Sequence, residues 1–193
     1  MTEARPLHIL ACGALAREIQ ASLAQPGMPE AELHCLPAKL HNQPQKIPAA
    51  VEAYLDALPE GQRVYLAYGD CGTGGALARL CAARGVEMMD VPHCYALFDA
   101  AGEFGAGDEL GTFYLTDFLA RQFDTLIWVG LGLDRHPELR DMYFAHYTTL
   151  VYLAQSDDPG LEAKARAAAE KLGLRYEQRA TGLGALPGML RRA

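Results

Sequence analysis

Five cysteines punctuate this chain of 193 residues, and four of them stand where apolar runs give way to loops: Cys12 in ILACGAL, Cys35 in LHCLPAKLHNQP, Cys71 in VYLAYGDCGTGG and Cys94 in DVPHCYALF. Thiolates are soft ligands for zinc or an iron–sulfur cluster when three or four converge, and a thiolate held ionised is a nucleophile. The spacing is patterned. The interval from Cys12 to Cys35 equals that from Cys71 to Cys94, Cys12-Gly13 is echoed by Cys71-Gly72, and His34-Cys35 is echoed by His93-Cys94. GALAR at Gly13–Arg17 recurs at Gly75–Arg79, with a slightly different offset. We read this as an internal duplication of a βαβ unit, with halves near 7–59 and 66–118, each contributing two thiols. Cys81, between Leu80 and Ala82 in a helix-like segment, is read as a small core residue.

The expected metal ligands are therefore Cys12, Cys35, Cys71 and Cys94, with His41 competing with Cys35 for the last position. Zinc is the expected ion, an iron–sulfur cluster the alternative. The tight C-x-x-C knuckle of a structural zinc finger is absent, which favours a functional site over a staple. His93 precedes Cys94 directly, and neighbours on an extended segment point to opposite faces. Gly72, Gly74 and Gly75 support another reading, a backbone cradle for a nucleotide or other anion at a helix N-terminus, although the Walker spacing and its Lys-Ser/Thr ending are missing. Asp70 is a general acid/base candidate or a helix cap. Asp134 and Arg135, in GLGLDRHP, complete the catalytic candidates, since a strand-end arginine can grip a carboxylate or phosphate.

Elements that would position these residues alternate along the chain. Short apolar runs at Leu7–Ala11, Leu33–Leu36, Val64–Tyr68, Val86–Val91, Thr125–Leu131 and Leu150–Leu153 read as strands. Between them lie helical patterns after Gly13, near Ala49–Leu58, at Ala76–Arg84, at Tyr114–Phe123 and from Pro137, with a last helix at Leu161–Leu172 before an edge strand at Leu174–Gln178. Strands this apolar, each followed by a helix, predict an α/β fold: an open, mainly parallel, Rossmann-like sheet with helices on both faces. Ligands bind at the carboxyl ends of such strands, where the four cysteines fall. A single domain is expected over 1–193, the two halves being followed by a C-terminal βα extension, 119–193.

Composition narrows the partners. Acidic side chains number 24 against 17 basic ones, and the net charge is −7. Phosphate contacts supply most nucleic-acid affinity, so nucleic acid is not an expected partner. No run of about 18 apolar residues suggests a membrane span, and the first residues lack a signal-peptide pattern. An odd number of scattered cysteines in a chain with a good core fits reduced thiols and a cytoplasmic location.

ACGAL, CLPAKLHNQP, YGDCG, PHCYALF and FYLTDFL, in that order, resemble the family catalogued as domain of unknown function 1638, across nearly the whole chain. The resemblance carries over Cys12, Cys35, His41, Cys71 and Cys94 as a shared site. It also implies a link to corrinoid-dependent methyl transfer, with a small-molecule substrate or a corrinoid methyltransferase component as partner. A metal-bound thiolate activating a methyl acceptor, a non-catalytic iron–sulfur or metal-carrying accessory protein, and a bare thiol–disulfide exchange centre all remain open at this point, as does the oligomeric state.

Overall fold

The run LHILAC forms β1 (Leu7–Cys12), buried at every position except His8, as a central strand of a parallel sheet must be. The structure is a computed structural model that describes residues 6–98 and 111–193. In it β1 lies between β2 (Ala31–Leu36) and β3 (Arg63–Ala67), and β4 (Glu87–Met88) adds to β3; all pairings are parallel and the order is β2-β1-β3-β4. Because the chain leaves β1 for one neighbour and then crosses to the other, a crevice opens at the carboxyl ends of β1 and β3. α1 (Ala16–Leu23) joins β1 to β2, α2 (Ile47–Ala57) joins β2 to β3, and α3 (Ala76–Arg84) joins β3 to β4. Leu10, Cys12, Leu66 and Tyr68 share one core with Ile47 and Val51 of α2 and Leu77 and Cys81 of α3. Ile9, Ala11 and Ala67, the alternate residues, are buried on the other face.

These elements belong to the first of two compact units, Met1–Leu97 with Ala185–Ala193; the second is Phe98–Gly184. The second unit has its own sheet, β5 (Thr112–Thr116), β6 (Thr149–Ala154) and β7 (Arg175–Ala180), parallel and in sequential order. α4 (Asp117–Gln122) follows β5 and runs on as a π-helical stretch, Phe123–Trp128; α5 is Leu139–Tyr143 and α6 Pro159–Leu172. α6 has the local signals a helix needs. Asp158 Oδ1 accepts the Gly160 N–H at 2.9 Å, Pro159 takes the first turn, and Gly173 closes the helix at φ +74°.

The α/β class and parallel sheets expected from sequence are present; several boundaries differ. Thr125–Leu131, expected as a strand, lies within or just after the π-helical stretch. Ala120, Phe123 and Ile127 are buried in one core at helical spacing, and a short apolar run cannot tell strand from buried helix. The helix expected over Tyr114–Phe123 is split, with Thr116 ending β5 and accepting the Leu119 N–H as the cap of α4. Val86–Val91 contributes only the two residues of β4. The internal duplication is not confirmed: in register Leu10 pairs with Leu66, which sets Cys12 level with Tyr68 rather than Cys71, and the span 66–118 runs across both units. Most of the glycine-rich stretch 100–111 lies outside the described residues.

What shapes the end of β3 is a close approach of two backbones. The Asp70 N–H donates to Val91 O at 3.0 Å and the Cys71 N–H to Pro92 O at 2.9 Å. A Cβ at Gly69 would stand 2.7 Å from Val91 O and 3.1 Å from His93 Cα, so only glycine fits. Gly69→Ala is expected to destabilise the chain by about 1–3 kcal/mol, because one of the two strips must move away. The measurement is the urea midpoint; an unchanged midpoint would show that the strips separate freely.

Candidate functional site

Cys12 and Tyr68 stand two residues beyond the paired Leu10 and Leu66, on the same face, so the register sets them side by side at the crevice. Both are buried, at 5% and 1% exposure. Cys71 follows on the loop, and Cys94 is brought to it by the pairing of 70–71 with 91–92. The thiols of Cys71 and Cys94 are close enough for each to be the strongest influence on the other's ionisation, and the sulfurs of Cys12 and Cys71 are close enough for their charges to interact. Three of the four expected cysteines thus gather at one edge, around a tyrosine hydroxyl.

Parity explains the fourth. Cys35 pairs with Ala11 and Leu36 with Cys12, so it is Leu36 that shares the face of Cys12 while Cys35 points the other way. Cys35 is exposed, and its influence on Cys12 is smaller than that of Cys71. His41 sits in the 3₁₀ turn Ala38–Asn42. Although exposed by surface area, it is sufficiently enclosed for burial to lower its imidazole pKa, with no thiol contributing. Cys81 lies apart in α3, buried in the core.

The loop carrying Cys71 is held by Asp70. Its carboxylate accepts the Gly75 N–H at 2.7 Å, the Thr73 hydroxyl at 2.8 Å and the Gly74 N–H at 3.1 Å. These bonds, that of Gly75 first, hold the Asp70 carboxyl below its usual range. The amides of Gly74 and Gly75 therefore already serve a carboxylate within the chain. Cys71 itself has φ +48°, the left-handed region, and is the one non-glycine residue there among the described residues. A side chain in that region costs about 1 kcal/mol, and such strain collects at functional sites.

Ionisation is divided unequally. The hydrogen bond from Cys94 lowers the Cys71 pKa to about 7, helped by backbone hydrogen bonds from Cys94 and Gly69 and opposed by burial. The same bond, then burial, pushes Cys94 well up. Burial also raises Cys12, against backbone bonding at Ala14 and the Tyr68 hydroxyl. Cys71 is thus the thiol that ionises first, through its neighbour rather than through a helix N-terminus, since α3 begins only at Ala76.

Asp134 and Arg135 are exposed in the second unit, where they form a loose ion pair with each other at 3.9 Å. Asp117, in the stretch TFYLTDFL, is buried at 1% exposure after β5. It accepts the Tyr152 hydroxyl at 2.7 Å, the Gln155 N–H at 3.1 Å and the Ser156 hydroxyl, with Arg121 3.6 Å away. So complete a set of partners reads as structural. Tyr68 was missed, because its strand-end position looked apolar until the register placed its hydroxyl among thiols.

Among the described residues no three Cys, His, Asp or Glu side chains stand at metal-binding spacing, so the thiols do not form a ready-made ion site. No helix among the described residues is long and apolar enough to cross a membrane. A family model described as "Protein of unknown function (DUF1638)" matches residues 35–190, a span that holds Cys35, His41, Tyr68, Cys71 and Cys94. No curated protein and no solved structure matches.

Near neutral pH iodoacetamide is expected to modify Cys71 before Cys12, Cys94 or Cys81, with a rate that rises as pH passes through about 7 and the thiolate forms. Peptide mass mapping over time checks the order. Modification of Cys94 ahead of Cys71 would reverse the assignment of which thiol ionises.

Proposed function

The chain belongs to the DUF1638 family, and from that premise we propose that it carries a thiol–disulfide exchange centre, with Cys71 the attacking sulfur and Cys94 the resolving one. One observation carries the reading: the pairing of 70–71 with 91–92 brings Cys94 to Cys71, each the strongest influence on the other's ionisation, with Cys71 on a left-handed turn that this pairing and Asp70 hold in place. An ionised thiol beside a buried, protonated one is the division of labour that exchange requires.

The chemistry balances without a metal. The Cys71 thiolate attacks one sulfur of a substrate disulfide; that S–S bond breaks, one substrate thiolate leaves and takes a proton from water, and Cys71 is left in a mixed disulfide. Cys94 then attacks the Cys71 sulfur, its proton passes to the second substrate sulfur, and that thiol leaves. The substrate disulfide has gained two electrons and two protons, and the protein dithiol has become a disulfide. A small-molecule dithiol or two monothiols reverse the change and restore the centre. Asp70 keeps the loop in place and takes no part in the bonds made or broken.

A second reading is a zinc ion, or an iron–sulfur cluster, held by Cys12, Cys71 and Cys94, in an enzyme or accessory protein of corrinoid-linked methyl transfer. The observation in its favour is the third thiol, Cys12, beside the pair. When bound, zinc would supply an activated thiolate, but the sulfurs would first have to draw together.

Cys71→Ser is expected to abolish exchange with a small disulfide, Cys94→Ser to accumulate the mixed disulfide, and Cys81→Ser to leave the rate unchanged. Anaerobically purified wild type is analysed for zinc and iron in parallel. Metal-free protein that exchanges supports the proposal. Stoichiometric metal that disappears in Cys71→Ser, with no exchange, overturns it in favour of the metal reading.

A further inference from the structure

Tyr68, like Cys12 beside it, is a group at the thiol crevice whose chemistry the exchange scheme leaves unused. Its ring fills the core between β1, α2 and α3, at 1% exposure. Its hydroxyl is buried and has no well-formed hydrogen bond among the described residues. A hydroxyl so placed costs roughly 1–3 kcal/mol in desolvation, and a phenylalanine would fill the same space without that cost. The polar groups it does meet are sulfurs: Cys12 next to it, and Cys71 and Cys94 within reach of its charge. A buried donor kept at a cost beside these sulfurs, meeting Cys12 only weakly, points to a partner that is present only during the reaction.

We propose that the Tyr68 hydroxyl is the hydrogen-bond donor to the sulfur that develops negative charge when Cys71 exchanges with a disulfide, a role that rests on the exchange reading. During exchange the charge of one thiolate is spread over three sulfurs in line, the attacking, central and leaving ones. Beside burial, Cys71 and Cys94 act most strongly on each other, and Tyr68 acts on Cys12. A fixed donor in so enclosed a site stabilises charge as it forms and needs no reorganisation to do it. Burial, and then the neighbouring thiols, push the Tyr68 phenol far above its ordinary range, so it stays protonated and donates a hydrogen bond without giving up its proton.

The sign of the stability change separates this role from a structural one. If the hydroxyl served packing, Tyr68→Phe would lower stability and leave chemistry alone. Under the proposal it leaves the urea midpoint unchanged or raises it, while the rate with bis(hydroxyethyl) disulfide falls about tenfold or more, the loss expected for one hydrogen bond to a charged group. The loss should appear in kcat more than in KM, because the bond forms as charge develops. Tyr65→Phe, on the same strand but the opposite face, is the control and should exchange at the wild-type rate. Wild type that exchanges, with Tyr68→Phe equal to it, overturns the Tyr68 role alone. Wild type inert to the disulfide overturns the exchange reading, and the Tyr68 role with it. A lowered midpoint with an unchanged rate makes Tyr68 a packing residue.

Discussion

The thiol edge depends on two strips of backbone lying against each other, 69–71 and 91–93. Their hydrogen bonds, Asp70 to Val91 and Cys71 to Pro92, bring Cys94 to Cys71 although the strand between them, β4, pairs over two residues only. Gly69 permits the approach by having no Cβ. Asp70 then fixes the loop from inside by taking the amides of Gly74 and Gly75, leaving Cys71 in a conformation a cysteine would not choose. Three separate stabilising elements converge on one strained residue, which is how strain persists where the surroundings over-determine it.

A second constraint, the parity of the sheet, selects which thiols meet. Side chains alternate along a strand, so a parallel register decides faces as firmly as it decides partners. Pairing Ala11 with Cys35 sends Cys35 away from Cys12, and pairing Leu10 with Leu66 puts Tyr68 beside it. The sequence placed all four cysteines at strand ends, which was enough to find the edge. It could not assign their faces, because a register is a relation between strands far apart in the chain.

The same limit accounts for what was and was not legible elsewhere. The α/β alternation was visible because buried parallel strands are apolar throughout, as in TLVYLA of β6, and because α6 announces itself through Asp158, Pro159 and Gly173. DTLIWVGLGL misled because β-branched and aromatic residues looked like a strand, while the packing of Ile127 below Phe123 made it helical. Moving that segment out of the sheet removed the premise for Asp134 and Arg135 as strand-end residues and leaves them as a surface pair. The partners of Asp117 were hidden for the opposite reason: Tyr152, Gln155 and Ser156 come from the end of another strand.

Electrostatics decides between a cluster of thiols and a cluster of thiolates. Cys71 raises the pKa of Cys12 and of Cys94, and Cys12 raises that of Cys94; only Cys94 acts the other way, lowering Cys71. Burial raises all three. A single negative charge is supported by the Cys94 hydrogen bond and nearby amides at Cys71; a second would lose that hydrogen bond and face the first across a poorly solvated gap. Cys71 therefore ionises before the other two thiols, whereas three-fold sulfur coordination needs all three ionised. The unequal ionisation of Cys71 and Cys94 thus follows from crowding three sulfurs around one buried hydroxyl.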